Sequence, residues 1–132
     1  MGYYSWMRLF IGTTLLTLLQ SMAALATQAA SVHQCDVVSR TECSAGNCVV
    51  TYPWAFYLIS PEPGVFSRCD AAGCDILHVQ VTGQGDSLRI QVPGKRINAM
   101  WSPDRADFIE IATIEGKFTM SEATCHEVQA DQ

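Results

Sequence analysis

The chain has 132 residues, a formal net charge of −5 and a sequence pI near 4.9, which suits one domain of ordinary size and leaves no room for two large cores. Its Lys and Arg residues are few and scattered, which excludes nucleic acid as a partner and disfavours adhesion to an anionic membrane surface. A cationic protein partner would instead be attracted and its encounter hastened.

Met1 to Arg8 carries one basic residue, Leu9 to Leu19 is an apolar run, and Ala24-Leu25-Ala26 offers small residues at the spacing that signal peptidase reads. This pattern predicts a signal peptide over residues 1–26, with further small residues extending the choice of cleavage site to Ala30. A retained anchor over Leu9 to Ala26 is the competing reading, weakened by Gln20 and by several Thr and Ser residues. The processed protein is expected to be periplasmic or secreted, with no stable membrane insertion and, Arg8 being removed, a formal charge of about −6.

All six cysteines follow this segment, and an even count in an oxidising compartment predicts a disulfide framework. The favoured pairs are Cys69 with Cys74, Cys43 with Cys48, and Cys35 with Cys125: two local C-x4-C units and one bridge tying the ends together. In the chain-entropy model each local loop contributes about 2 kcal/mol and the long one about 4 to 5 kcal/mol. Two C-x4-C units could also present four thiolates to zinc, but export favours disulfides. A redox-active dithiol is weaker still, because the spacing is four residues and the pairs sit in turns.

Residues 27–52 form a cysteine-rich N-terminal segment, and residues 53–132 a β-meander in one domain with it. Ser31 to Tyr52 is polar and broken by Ser44-Ala45-Gly46-Asn47, which predicts a loop with one tight turn leading into Val49 to Thr51, held by cysteines more than by a core. Trp54 to Ser60 is a strand, and Pro61-Glu62-Pro63-Gly64 turns the chain into Val65 to Cys69. Asp70-Ala71-Ala72-Gly73 makes a stapled hairpin of the flanking runs. Leu77, Val79 and Val81 alternate with Ile76, His78 and Gln80 before a turn at Gly83 to Asp86, and Leu88, Ile90 and Val92 repeat the alternation. Pro93 to Arg96 turns into Ile97 to Ser102, Asp107 to Ile114 follows, and Glu115-Gly116 is a favoured two-residue hairpin turn into Lys117 to Ser121. The whole predicts an all-β, antiparallel meander of about seven or eight strands. Closure as a small barrel would remove exposed edges and is favoured over a sandwich. A barrel of that size either packs its interior or holds one small ligand.

No catalytic set emerges. Gly85-Asp86-Ser87-Leu88 spells the tetrapeptide of a hydrolase family, but Ser87 enters a strand instead of a helix and no Asp-x-x-His follows. His33, His78 and His126 are dispersed, although a Cys35–Cys125 bond would bring the first and last together. Asp70, Asp75, Asp104 and Asp107 lie in two turns without the ligand spacing of a calcium loop. No cofactor or metal site is assigned. Glu110 shares a stripe with Phe108, Ala112 and Ile114; facing inward it needs a partner such as Arg68 or Arg89, and facing outward it needs none. Trp54, Phe56, Tyr57, Phe66 and Trp101 suit a core first, and a pocket or partner surface second. Trp54, Tyr57, Trp101 and Glu110 are the candidate binding residues.

The run Arg68-Cys69-Asp70-x-x-Gly73-Cys74-Asp75, then Val92-Pro93-Gly94, Phe108 to Thr113 and a closing Cys125, resembles an uncharacterised family of small exported cysteine-containing β proteins of Gram-negative bacteria. The resemblance implies export, cysteines and β structure, and no activity. The architecture is also similar to the periplasmic inhibitors of c-type lysozyme, small β-barrels that insert loops into the enzyme cleft, although their Ser-Gly-x-x-Tyr loop has no counterpart here. The expectation is an exported non-enzymatic domain binding a protein or small molecule. A lysozyme-inhibitor-like role is its most concrete form, and metal or thiol chemistry at the C-x4-C units is the alternative.

Overall fold

A computed structural model of the protein describes residues 31–129; the expected signal peptide lies outside them. The chain is all-β, with ten antiparallel strands in one nearly closed, barrel-like sheet. In chain order they are β1 (Val32–Ser44), β2 (Asn47–Thr51), β3 (Ala55–Ser60), β4 (Val65–Asp70), β5 (Gly73–His78), β6 (Gln80–Gln84), β7 (Ser87–Gln91), β8 (Ile97–Ser102), β9 (Asp107–Ile114) and β10 (Lys117–Val128). A short 3₁₀ turn, Pro103–Arg105, separates β8 from β9.

The sheet order is β5-β4-β3-β1-β10-β9-β8-β7-β6, with β2 paired to β1 as a side hairpin. Both ends of that order belong to one extended stretch, Gly73 to Gln84, which is interrupted only at Val79. Its first half pairs with β4 and its second half with β7. The ring therefore has eight positions, and the stretch changes neighbour part-way along. At the change, the Val79 N–H donates to the Gly64 carbonyl at 2.9 Å. First and last strands close the ring, β1 running against β10 from Val32↔Val128 to Cys43↔Phe118. The turns β1–β2, β4–β5, β7–β8 and β9–β10 share one end, the rim; the turns β3–β4, β6–β7 and β8–β9 share the base.

Local chemistry explains the turns. Ala45-Gly46 and Glu115-Gly116 both take positive φ at two successive residues, the backbone twist that suits two-residue hairpins. Asp70 Oδ1 accepts from the Ala72 N–H at 2.8 Å, closing the β4–β5 hairpin as an Asx turn.

The three disulfides join Cys35–Cys125, Cys43–Cys48 and Cys69–Cys74, the pairing the sequence favours. Each pair is directly opposed in register on neighbouring strands. No thiol is left among them for zinc or dithiol chemistry, and the framework fits an oxidising, extracellular-type environment.

One expectation fails. Residues 31 to 52 are no cysteine-held loop, because β1 is the longest strand and pairs with β10, β3 and β2. Its polar composition hides it: His33, Cys35 and Val37 face inward, then a bulge between Val37 and Ser39 leaves Val38 outside and reverses the alternation. Beyond the bulge Arg40 takes the inward position, opposite buried Ser121.

The interior is packed. Tyr57, Phe66 and Phe108 sit within 5.0 to 5.9 Å of one another, centroid to centroid, with Ile59, Ile90, Ala112 and the Cys35–Cys125 bridge around them. Trp101 is also buried, with His33 edge-on at 4.6 Å.

Gly64 lets the strand change neighbour. Its φ is +84°, and a Cβ there would lie 2.7 Å from the Val79 carbonyl oxygen. Gly46 also has positive φ but open space around it. Denaturant unfolding of Gly64→Ala is expected to show a loss of about 2 kcal/mol or more, against about 1 kcal/mol for Gly46→Ala. Equal losses would mean that the Gly64–Val79 approach is not a constraint.

Candidate functional site

The polar centre of the barrel is Glu110, fully buried on the inward face of β9. Alternation along Asp107–Ile114 puts Phe108, Glu110 and Ala112 inside and leaves Ile109 and Ile111 outside, which resolves the two orientations open in the sequence. Arg68, on the inward face of β4, is the partner, and Arg89 is exposed on β7.

The Arg68 Nη2 donates to Glu110 Oε1 at 3.1 Å. Its Nε lies 2.8 Å from Glu110 Oε2, close enough for an ion pair although the N–H is not aimed for a straight hydrogen bond. The Tyr57 hydroxyl donates to the same Oε1 at 3.1 Å. On the far side, Arg40 Nε donates to Ser121 Oγ at 3.0 Å, and Ser121 opposes Glu110 in the β9–β10 register. Five side chains from five strands thus form one polar layer. Burial pushes the Tyr57 phenol above its ordinary pKa, the Glu110 charge adds to this, and Ser121 and Arg40 partly oppose it.

Above this layer the rim opens into a cleft of about 390 Å³ where β5 has no strand on its free side. Arg68 lines it from below. Asp75 and Leu77 come from β5, the β7–β8 turn supplies Lys95 and Arg96, and Ile97, Thr113, Ile114 and Glu115 complete the lining. Arg68 keeps about 20% of its side chain exposed while its carboxylate partner keeps none, so the floor presents a guanidinium held in place from behind. Such second-layer support fixes a charged group's direction before any ligand arrives.

Of the four binding candidates, Tyr57, Trp101 and Glu110 are inside the barrel and present no surface to solvent. Tyr57 and Glu110 support the cleft by holding Arg68; Trp101 belongs to the core. Trp54 is 72% exposed on the outer wall, edge-on to Phe56, which lies opposite Cys69 in the β3–β4 register; Ile76 of β5 is exposed as well.

The other sequence candidates stay apart. His33 points inward and His126 outward, 3.9 Å from Asp36, so the Cys35–Cys125 bond does not unite them. His78 is exposed as expected. No group of His, Cys, Asp or Glu among the described residues is arranged to hold a metal ion. Ser87 is an exposed first residue of β7.

Sequence reasoning missed Arg40, Ser121, Lys95 and Arg96 as members of a site. Arg40 was concealed by the bulge. Lys95 and Arg96 were legible only as part of a turn, because which turns meet at the rim depends on strand order.

Two measurements probe the polar layer. Glu110→Met alone strands the Arg68 charge and Arg68→Met strands a buried carboxylate; each is expected to cost about 3 to 5 kcal/mol, with the double substitution recovering most of the loss. Additive losses in that cycle would show that the two groups are not coupled. Because the folded-state pKa of Tyr57 is raised, its contribution is complete below the unfolded value of 10.0 and disappears as pH rises through the folded value. Phenolate absorbance should therefore show Tyr57 ionising above the ordinary phenol range, with stability falling in that alkaline window and less so in Tyr57→Phe. Ionisation of Tyr57 within the ordinary range would contradict the buried placement.

Comparison with protein-family models, curated proteins and solved structures finds no match for this chain, so its function has to come from the residues described above.

Proposed function

We propose that the protein is an exported, disulfide-stabilised, non-enzymatic β-barrel module that binds a small molecule in the rim cleft. The observation that carries this reading is the cleft itself, open to solvent and floored by a guanidinium that Glu110 holds from within the barrel. A site of that kind is concave, part apolar and supplied with few, fixed polar groups.

Three further features support it. The packed aromatic centre leaves no room for a ligand deeper in the barrel, so recognition belongs at the mouth. The site joins no nucleophile to a general base, as catalysis by covalent attack would require. Three disulfides and the amino-terminal apolar run followed by small residues suit a periplasmic or secreted protein.

Amide chemical-shift mapping with a small library of carboxylates, amines, sugars and neutral amides tests the reading. Perturbations are expected at Arg68, Leu77, Lys95, Arg96, Ile97, Ile114 and Glu115. Perturbations confined to the outer wall around Trp54 and Ile76, or the absence of any at the rim, would overturn it.

A further inference from the structure

Resting on that reading, we infer that the cleft takes a small amphiphilic monocarboxylate: one anionic head on Arg68, Lys95 and Arg96, and a short apolar body against Leu77, Ile97 and Ile114. The charge placement carries the inference. Glu110 is fully buried behind Arg68 and has no exposed surface, so the floor offers the ligand a cation. Arg68 uses Nε and Nη2 on Glu110, and its Nη1 has no protein partner among the described residues. A guanidinium clamped along one edge keeps N–H donors for a second carboxylate in a fixed plane.

The turn that carries the other two cations is fixed by backbone contacts. The Lys95 N–H donates to the Val92 carbonyl at 3.1 Å, and the Arg96 carbonyl accepts from the Thr113 N–H at 2.9 Å. These bonds tie the turn to itself and to β9. Among the described residues neither Lys95 nor Arg96 lies within ion-pair distance of a carboxylate. Both residues line the cleft on a backbone that is already ordered, so the cost of binding falls on their side chains and not on the turn.

Asp75 and Glu115 line the same cleft, Asp75 directly opposite Arg68 in the β4–β5 register. Two acids beside three cations disfavour a phosphate dianion or a polyanion, whereas a single carboxylate meets less of their repulsion. The remaining lining is Leu77, Ile97 and Ile114 with the hydroxyl residue Thr113, and an apolar body gains on the aliphatic part what a bare anion cannot.

The probes are hexanoate, hexanamide, hexylamine and inorganic phosphate, titrated against the folded protein with rim amides as the readout. Hexanoate is expected to bind saturably with a dissociation constant on the order of 1 mM or tighter, and at least about tenfold more tightly than the other three. Lys95→Gln/Arg96→Gln, two exposed positions outside the core, should weaken hexanoate by about tenfold while leaving the remaining amide spectrum folded. Rim binding of hexylamine or hexanamide as tight as that of hexanoate would overturn the carboxylate class and leave the cleft reading standing. Phosphate binding as tightly as hexanoate would overturn the amphiphile, and an unchanged hexanoate affinity in the double variant would overturn the basic turn's role. No rim response to any probe would overturn both this inference and the reading it rests on.

Discussion

The pairing of the first strand with the last is the constraint on which the rest of this structure depends. Every other ring contact joins neighbours in sequence, or nearly so, through a hairpin. The β1–β10 ladder alone brings the two ends of the domain together, with Cys35 directly opposite Cys125 inside it. Without that ladder the meander is an open sheet with two long edges. With it, the inward faces of eight ring positions enclose one core, and the bridge, closing a separation of 90 residues, removes far more freedom from the unfolded chain than either hairpin bridge. The long-range ladder must be made before the ring can close, so the disulfide acts where loop-closure entropy opposes folding most.

Closure on the opposite side is incomplete by design of the chain. Residues Gly73 to Gln84 are asked to pair on one side above Val79 and on the other side below it. Each half therefore keeps one unpaired edge. At the base the gap is covered by packing of Val79, Val81 and Leu88 against the core. At the rim it is not covered, and the cleft is the space that remains. The same change of neighbour that lets a ten-strand meander close as a small barrel thus creates its concave site. A strand that paired with β7 along its whole length would have filled that site with backbone.

Much of this was legible in the sequence, and the failures have physical causes. Alternation from Ile76 onward, the hairpin turn at Glu115-Gly116 and the two C-x4-C pairs follow from local chemistry, Cys35–Cys125 is the pair that remains, and the structure carries all of them. The segment from Val32 to Ser44 was missed because its inward residues include a histidine, a cysteine and an arginine, and because one extra residue at Val38 breaks the period of two. Tyr57 and Glu110, two of the binding candidates, are interior supports behind the cleft. What strand sequences cannot supply is neighbourhood across the ring. That Arg68, Lys95, Arg96 and Glu115 meet follows from strand order, which is decided by the β1–β10 closure and not by any motif near those residues.

The Arg68–Glu110 pair is hard to account for as a stabilising device. A buried ion pair repays its desolvation only partly, and apolar residues of similar volume at both positions would serve packing as well or better. Its geometry suggests what it supplies instead. Glu110 and Tyr57 are anchored on strands that meet the aromatic core, while Arg68 reaches from that anchor to the rim cleft. A lysine or arginine on a rim turn alone would be a mobile, hydrated charge with a large ordering cost on binding. Tethered to a buried carboxylate, the guanidinium is already ordered and partly stripped of water before a ligand meets it. The acid contributes nothing to the surface and is still what makes the cation at the surface specific in direction. On this argument the barrel's core and its mouth are one polar assembly, stability being given up in the first to gain order in the second.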